Sequence, residues 1–496
     1  MSSSKSRPTR GWATRRWASA ALTLVLACDD ETTAPGGSGG GGGAAGGVTG
    51  ELAPIHEPDP ELIDAGYRAF SEGELLQGVL PPEVMRNLYL TWTTSLASYY
   101  TYYTDSDAYW SAFAERYGTV PSPFEGADYP AGFGLASNGK VGVDCLLCHA
   151  SRFEGKTLIG ASNNRLDLRA FVEDVQRLPA AVAALKEQDL PEPYASLVAG
   201  LPDDQVPEPY ASLEIPTGAA GLNDGFGLGL LTATFYAEPP PGLRTFMGYE
   251  DAPPWWTMKY KARLYTDGSA PGEGIYTMMS TLLAFGLTLD QLLAYLPTFR
   301  AIQSYVWSMP APRWEDYELP PVDESKAARG ATVFGERCAS CHGAYDGDVF
   351  PNVLSSPDEL GTDPLRAESF GAVEADFFNS FIPEADAEME STGQYLAPAL
   401  TGIFASAPYL HDGSVPTLRA LLVPAERPAR WRRVGEALDP VAVGLTFEVV
   451  EETPDRDTVA GRKVVDTTVT GLSNEGHTYD LTEEQVDEVL EFLKTL

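Results

Sequence analysis

Two short motifs in this chain place two cysteines and a histidine at a fixed spacing. They consist of Cys145, Cys148 and His149, and of Cys338, Cys341 and His342. In each motif two residues separate the cysteines and the histidine follows directly, which is the spacing for covalent attachment of a c-type haem. The cysteines form thioethers with the porphyrin, and the histidine becomes an axial ligand of the iron. We therefore predict two covalently bound haem c groups.

Zinc binding and dithiol redox chemistry are the alternative interpretations of a Cys-x-x-Cys pair. A zinc ribbon brings two such pairs together at close spacing, whereas about 190 residues separate these two. A thioredoxin-like pair occurs once, within a βαβ pattern. The chain has only five histidines, and two of them follow a Cys-x-x-Cys pair, which favours haem.

The second axial ligand of each iron decides its function. Histidine or methionine in that position gives an electron-transfer haem, whereas an open position lets oxygen or peroxide bind. The remaining histidines are His56, His411 and His477. His56 lies in a proline-rich acidic leader and is a poor candidate. We predict that His477, just before the last predicted helix, is the second ligand of the haem on His342.

The first haem has no histidine ligand from its own part of the chain, because none lies between the two motifs. The methionines available to it are Met258, Met278, Met279 and Met309, although core packing is the commoner role for each. Downstream of the second motif lies Met389, in a strongly acidic stretch that predicts an exposed loop.

The N-terminal residues predict export and a membrane anchor. Residues 1–27 combine a basic start with a short apolar stretch, as in a signal peptide. Val25-Leu26-Ala27-Cys28 resembles a bacterial lipobox, which implies lipidation of Cys28; the alternative is an ordinary secretory signal. The glycine-rich residues 28–50 predict a flexible tether. We expect a protein of the periplasm or cell surface, lipid-anchored to the inner or outer membrane, since no later stretch is apolar enough to span a bilayer.

The net charge of −36 argues against nucleic-acid binding, because phosphates would be repelled. It is compatible with a basic redox partner, such as a small cytochrome or a cupredoxin.

The elements that would position the motifs are mainly helical. We predict a mainly α fold with long loops and a little β, made of two cytochrome-c-like haem domains packed together. The N-terminal haem domain would span residues 51–320 and the C-terminal one 321–496, with the proline-rich residues 310–321 as the boundary. Helices are predicted at 170–188, 323–334 and 482–496, and strands 445–450 and 463–470 would form a hairpin.

Aromatic and basic residues near the motifs suggest further roles. Trp255 and Trp256 follow two prolines, and they would line the pocket of the first haem, bridge the haems, or pack the core. Basic residues follow each motif at Arg152, Lys156, Arg165, Arg169, Arg419, Arg427, Arg430, Arg432 and Arg433. They would pair with haem propionates, dock a partner, or pair with surface carboxylates.

Residues 407–418, with the sequence APYLHDGSVPTL around His411, resemble the signature of the bacterial dihaem cytochrome c peroxidases. The resemblance implies that the active haem comes first and the electron-transfer haem second, with His411 at the catalytic centre. Residues 164–167, 253–270 and 474–477 look closer to the branch of latex-cleaving rubber oxygenases. The peroxidases place a methionine ligand where this chain has Ala425, so the resemblance to the oxygenase branch favours His477 as ligand.

The peroxidases also hold a calcium ion between their haems through backbone carbonyls. Ser406 and Pro408 occupy the corresponding positions, which are compatible with Ca²⁺ as a further cofactor.

Two functional hypotheses follow from these observations. In the first, the chain is a periplasmic dihaem oxidoreductase. O₂ or H₂O₂ would bind at the haem on His149, with Trp255, Trp256 and His411 as candidate catalytic residues, and the haem on His342 would relay electrons. In the second, both irons are fully ligated and the protein is a non-catalytic electron carrier.

Overall fold

The computed structural model describes residues 55–496, apart from 94, 200–210, 212, 216–217, 223, 280–286, 288, 382–387 and 453–454. The signal peptide, Cys28 and the glycine-rich tether lie outside the described residues. All described residues belong to one compact unit, and the division at residue 320 stays a prediction. No helix in this part of the chain is long and apolar enough to cross a membrane.

The described chain is mainly helical with little sheet, as predicted. Its α-helices are Ile63–Ser71, Pro82–Asn87, Leu96–Thr104, Ser106–Tyr117, Leu168–Lys186, Tyr194–Ala199, Gly225–Ala233, Ile275–Met279, Leu289–Ala294, Leu296–Ser308, Glu324–Arg337, Ala339–His342, Pro357–Leu360, Leu365–Ser369, Ala372–Asn379, Leu418–Leu422, Val459–Arg462 and Glu483–Leu493. Short 3₁₀ helices span Leu88–Thr91, Cys145–Leu147, Trp255–Tyr260, Trp314–Asp316, Ile403–Ala405 and Pro424–Glu426.

Two closely packed helix pairs frame the two motifs. Ile63–Ser71 packs against Leu296–Ser308, and Glu324–Arg337 packs against Glu483–Leu493. A glycine permits each crossing. A Cβ atom on Gly66 would lie 2.1 Å from the Ala301 carbonyl oxygen, and one on Gly330 would lie 1.9 Å from that of Glu488. In the sequence, each motif lies between the two helices of one pair.

The strands form small antiparallel sheets. Within the described residues, four are two-stranded: Phe133–Leu135 with Val141–Val143, Ala150–Phe153 with Lys156–Ile159, Arg263–Leu264 with Ala270–Pro271, and Leu354–Ser355 with Tyr395–Leu396. The fifth has three strands, in the order Gly444–Val449, Arg430–Asp439 and Val465–Asp466.

The predicted hairpin between 445–450 and 463–470 was wrong. The arginine-rich strand Arg430–Asp439 lies between the two predicted strands and pairs with both. The sequence did not predict this strand, because its arginines give it two polar faces. Such a strand lacks the alternation of apolar and polar residues that identifies strands in sequence.

The core is continuous across the chain and rich in aromatic side chains. One cluster joins Phe70, Trp255 and Phe299 with Phe334 and Phe404, so residues that flank both motifs share it. A second cluster collects most of the aromatic residues of the 88–117 region, although Tyr100 and Tyr103 are exposed. Met389 is only 2% exposed and packs in a third cluster with Phe370 and Phe378. Glu388 and Glu390 are exposed as expected for a loop, but the expectation was wrong for the side chain of Met389.

Two buried arginines connect distant parts of the chain. Arg462 donates from Nε to both carboxylate oxygens of Asp167, at 3.0 and 2.9 Å. Arg366 donates to Glu250 at 3.2 Å and to Asp267 at 2.7 Å. Removing one partner of such a buried pair typically costs about 3–5 kcal/mol, because the other charge is left uncompensated.

The close crossing at Gly330 gives a stability test. We expect Gly330→Ala to destabilise the protein by about 1–3 kcal/mol, because the added methyl group would overlap the helix that follows in the pair. Gly335 lies on the same helix with no atom within 4 Å of its Cβ position. Gly335→Ala should therefore stabilise the fold by up to about 1 kcal/mol through helix propensity. Denaturant unfolding of both variants checks this, and an equal effect at the two positions would contradict the close crossing.

Candidate haem-binding sites

The second motif ends in a fixed histidine. Cys338 precedes the short helix Ala339–His342, and His342 Nδ1 lies 2.9 Å from the carbonyl oxygen of Pro398. Because a carbonyl can only accept, Nδ1 must carry the proton and Nε2 is left as a bare nitrogen. A histidine whose second nitrogen is held in this way is typical of a metal ligand.

His477 lies opposite His342 at the separation that one shared iron requires. The centres of the two imidazole rings are 6.4 Å apart and their planes are inclined by 32°. Two imidazoles on opposite sides of one metal ion have their centres about 6 Å apart, because each metal–nitrogen bond is about 2 Å long. Among the described residues, neither ring nitrogen of His477 has a hydrogen-bond partner, and its Nδ1 is buried. The pair therefore fits a haem iron bound from both sides.

Arg427 holds the loop that carries His477. Its guanidinium donates to the carbonyl oxygens of Asn474, Gly476 and His477, with the bonds to Gly476 and His477 at 2.8 and 3.3 Å. His477 itself has a φ of +49°, an uncommon conformation for a residue with a side chain. Arg427 therefore acts as a positioning residue for His477, a role that the sequence analysis did not assign to it.

The first motif is built differently. Cys145–Leu147 forms a 3₁₀ turn that is capped by the Asp144 carboxylate. The ring of His149 stacks on Trp255, with centres 4.9 Å apart and planes inclined by 29°. Gly160 links the two backbones: its N–H donates to the His149 carbonyl oxygen at 2.7 Å, and its carbonyl accepts from Trp255 at 2.9 Å. No described residue accepts or donates a hydrogen bond at the ring nitrogens of His149, and its Nδ1 is buried.

A cavity lies beside the first motif. Its volume is about 590 Å³, including space open to solvent, and Cys148 lies in its wall. Apolar side chains form much of the lining, and they include Leu166, Leu222, Leu228 and Phe246. An apolar wall next to a cysteine of the motif fits a porphyrin attached at that cysteine.

Trp256 extends from the first motif towards the second. Its indole Nε1 donates to the Thr401 carbonyl oxygen at 2.9 Å, and the side chain is 1% exposed. Thr401 lies three residues beyond Pro398, which binds His342. Trp255 thus contacts the histidine of the first motif, and Trp256 binds a residue three positions from the one that binds the histidine of the second motif.

His411 is paired with a tyrosine. Its ring stacks on Tyr395 at 4.2 Å between centres, and its Nε2 lies 3.0 Å from the Tyr395 hydroxyl oxygen. Burial, together with the charges of Arg366 and His477, lowers the pKa of His411 to about 3. His411 is therefore a neutral imidazole bound to Tyr395.

Burial also shifts the pKa values of the motif side chains. It raises the thiol pKa of Cys145 to about 12 and those of Cys148 and Cys338 to about 11. Reactive dithiols need lowered thiol pKa values, so these three thiols are poorly suited to disulfide exchange. The four described cysteines form no disulfide. Burial lowers the pKa of His149 and of His477 to about 4, which keeps both rings neutral as ligation requires.

The three arginines that follow the first motif already have protein partners. Arg152 and Arg165 pair with Glu436 at 3.4 and 3.5 Å. Arg169 pairs with Glu173 at 2.6 Å and with Asp457 at 3.1 Å. Ion pairing with carboxylates of the chain is thus their observed role.

The calcium ion stays a prediction. The Ala407 carbonyl, between Ser406 and Pro408, accepts from the Asn164 side chain at 2.7 Å. The oxygen of that side chain accepts from Arg433. Within the described ranges, no three His, Cys, Asp or Glu residues are grouped closely enough to hold a metal ion.

Sequence reasoning missed Pro398, Gly160 and the role of Arg427. Pro398 lies 56 residues beyond His342 and carries no chemical signal, since its contribution is a backbone carbonyl. Gly160 likewise acts through its backbone. Arg427 was singled out in the sequence, but its contacts depend on how two loops meet.

Comparisons with known proteins agree with the haem assignment. A family described as RoxA-like, cytochrome c-like matches residues 393–432, a segment that contains both Tyr395 and His411. This match supports a rubber-oxygenase-like cytochrome family and indicates a haem c protein with a redox role.

Two uncharacterized proteins of Sinorhizobium fredii (strain NBRC 101917 / NGR234) are similar to this chain. Protein y4iM is 26% identical over 326 residues, which cover 56% of this chain and 71% of that protein. Protein y4iJ is 27% identical over 225 residues, which cover 34% of this chain and 36% of that protein.

Replacement of His477 tests the ligand pair. We expect His477→Ala to convert the haem at the second motif from low spin to high spin, because its iron loses one of two strong-field ligands. Absorption spectroscopy of the ferric and ferrous protein checks this. His56 donates to a backbone carbonyl and stacks on Trp307, so His56→Gln is a control that should leave both haem spectra unchanged. An unaltered spectrum in His477→Ala would remove His477 as a ligand.

A buried carboxyl next to His411 gives a pH test. Asp412 is fully buried, and burial raises its pKa to about 7, compared with about 3.9 in an unfolded chain. The protonated carboxyl of Asp412 therefore makes its full contribution to the free energy of unfolding below about pH 4, and this contribution is lost as the pH rises through 7.

We expect Asp412→Asn to lose less stability than the wild type between pH 5 and pH 8, because the amide stays neutral throughout. Denaturant unfolding at the two pH values measures this difference. Asp480→Asn, at an exposed position, should follow the wild type. Parallel pH profiles of wild type and Asp412→Asn would show that Asp412 does not ionise in the fold.

Proposed function

We propose that this chain is a dihaem c-type cytochrome acting as an oxidoreductase, with two cytochrome-c-like haem domains. O₂ or H₂O₂ reacts at the haem on His149, and the haem on His342 relays electrons. A haem supplies one-electron chemistry and, where an axial position is open, a site for oxygen or peroxide. The residues of this chain determine which of the two haems has such a position.

The observation that carries this proposal is the unequal supply of histidines. All five histidines of the chain lie within the described residues. His342 and His477 form one pair, His411 is bound to Tyr395, and His56 is bound to the Lys261 carbonyl oxygen at 3.0 Å. No histidine is left to face His149. A haem at the second motif would therefore be held by two histidines, whereas a haem at the first motif would have no histidine opposite His149 and would be the one open to a small molecule.

The two tryptophans give the proposed electron route. Trp255 lies against His149, and Trp256 is hydrogen-bonded three residues from the carbonyl group that holds His342. Because the two indoles are adjacent in sequence and buried, they are held at fixed positions between the motifs. Under this proposal they transfer electrons and line the first site, and their packing in the core keeps water away.

His411 is the candidate polar catalytic residue of the proposed site at the first motif. Its backbone carbonyl accepts from the Asp251 N–H at 2.9 Å, and Asp251 lies four residues before Trp255. Its side chain is held by Tyr395. The family match includes both residues, which supports a role for the pair in the function of the family.

The proposed location is outside the cytoplasm. Haem c attachment, the signal-like residues 1–27 and Cys28 support a lipid-anchored protein of the periplasm or cell surface. The net charge of −36 would attract a basic redox partner at low ionic strength.

Carbon monoxide binding to the reduced, haem-loaded protein tests the open site. We expect half of the total haem to bind carbon monoxide, because one iron has a free axial position and the other does not. In His477→Ala both haems should bind it. The wild-type protein, in which only the first haem is open, should consume oxygen or reduce peroxide.

Two results would contradict the proposal. Failure of both reduced haems in the wild type to bind carbon monoxide would favour a non-catalytic electron carrier. Binding of carbon monoxide by the haem that His477→Ala perturbs would reverse the assignment of the two sites.

A further inference from the structure

Arg462 is a buried arginine in the wall of the cavity beside the first motif. Its side chain is 1% exposed, and Arg462 lines the same cavity as Cys148. The Arg462 carbonyl oxygen accepts from the Ala220 N–H at 2.7 Å, and the adjacent Ala219 also lines the cavity. Backbone contacts therefore fix Arg462 at a surface that it shares with a haem-attaching cysteine.

The chain satisfies only part of the Arg462 guanidinium. Its Nε donates to the Asp167 carboxylate at 2.9 Å, and its Nη1 donates to the carbonyl oxygens of Asp457 at 3.1 Å and Arg456 at 3.4 Å. Its Nη2 is buried and has no hydrogen-bond partner among the described residues. Buried N–H groups without an acceptor are unfavourable, because they have given up their hydrogen bonds to water.

The carboxylate within ion-pair distance of Nη2 is already engaged. Glu173 Oε2 lies 3.7 Å from Arg462 Nη2, which is beyond hydrogen-bond distance. The Glu173 carboxylate accepts instead from Arg169 at 2.6 Å and from Arg177 at 3.3 Å. The described residues thus supply Arg462 with negative charge but leave its Nη2 without an acceptor.

The other charged side chains that line the cavity have partners within the chain. Asp167 is bound by Arg462, and Arg169 is paired with two carboxylates. The Asp224 carboxylate accepts from the Gly227 N–H at 2.6 Å. An acceptor that enters this cavity would therefore meet the unsatisfied N–H groups of Arg462.

A haem attached at Cys148 would bring such an acceptor. Haem c has its thioether links on one edge of the porphyrin and its two propionate carboxylates on the opposite edge. One cavity whose wall contains both a haem-attaching cysteine and an unsatisfied guanidinium nitrogen is suited to both edges. Arginine is well matched to a carboxylate, because its planar guanidinium offers several N–H donors in a fixed arrangement.

We propose that Arg462 Nη2 donates a hydrogen bond to a propionate of the haem on His149. This inference rests on the proposed function only in assuming that a haem occupies the first motif, and it does not require reactivity with O₂ or H₂O₂. By offsetting the propionate charge, Arg462 raises the reduction potential of the first haem, because an uncompensated negative charge near the iron favours the ferric state.

Resonance Raman spectroscopy of the intact, haem-loaded protein tests the hydrogen bond. Arg462→Lys keeps a positive charge beside Asp167, but a lysine has one terminal nitrogen and cannot also occupy the position of Nη2. We expect a propionate bending band to move to lower frequency, because this vibration softens when the carboxylate loses a hydrogen bond. Both haems should keep their spin states.

Arg116→Lys is the matched control. Arg116 donates to Asp174 at 2.5 Å, and Asp174 lies on the helix Leu168–Lys186 that Asp167 caps. Arg116 lies outside the cavity wall. The control therefore weakens an arginine–carboxylate pair on the same helix, and its propionate bands should match those of the wild type.

A double variant separates the propionate from the structural pair. Asp167→Asn with Arg462→Gln removes one negative and one positive charge together, and asparagine can still cap the helix. If Arg462 served only Asp167, the midpoint potential of the first haem would stay at the wild-type value. We expect it to fall, because the propionate loses its positive partner. The haem that His477→Ala perturbs identifies the second haem, whose potential should not change.

Two results would overturn the proposal. One is a propionate band in Arg462→Lys at the same frequency as in Arg116→Lys, and the other is a wild-type potential of the first haem in the double variant. If Arg462→Lys does not incorporate haem, the double variant decides. A wild-type chain with a single haem would contradict the proposed function and this inference together. Carbon monoxide binding, measured separately, reports only on the proposed function.

Discussion

The separation of 6.4 Å between the His342 and His477 rings is the constraint on which the account of this protein depends. It requires four separate parts of the chain to meet: the short helix Ala339–His342, the carbonyl of Pro398, the guanidinium of Arg427 and the loop before the last helix. Two histidines facing each other without an iron would leave ring nitrogens buried and unbonded. The left-handed backbone at His477 is a further cost, of a kind that proteins keep mainly at functional sites.

The first motif contrasts with the second because its surroundings are aromatic and charged. His149 lies against Trp255, and a cavity opens beside Cys148. The ion pairs Arg366–Glu250 and Arg462–Asp167 fix the segments around these residues. The side chains that the fold places near each motif would therefore decide whether the iron there has two protein ligands or a free axial position.

Much of this arrangement was readable in the sequence, since it depends on residue type and local spacing. The two motifs and the scarcity of histidines are read directly from the sequence. The sequence pattern also predicted the helices at Leu168–Lys186, Glu324–Arg337 and Glu483–Leu493. The remainder depends on contacts between distant residues. The central strand Arg430–Asp439, the burial of Met389 and the clamp formed by Arg427 have no local pattern. The carbonyl of Pro398 could not be predicted at all, because every residue has one.

Low-temperature electron paramagnetic resonance of the fully oxidised, two-haem protein tests the central claim most directly. Ligation by His342 and His477 at one iron, with an open position at the other, predicts one low-spin and one high-spin ferric signal of equal integrated intensity. Two low-spin signals would contradict the account, because both irons would then be closed and the chain would have no open site for chemistry.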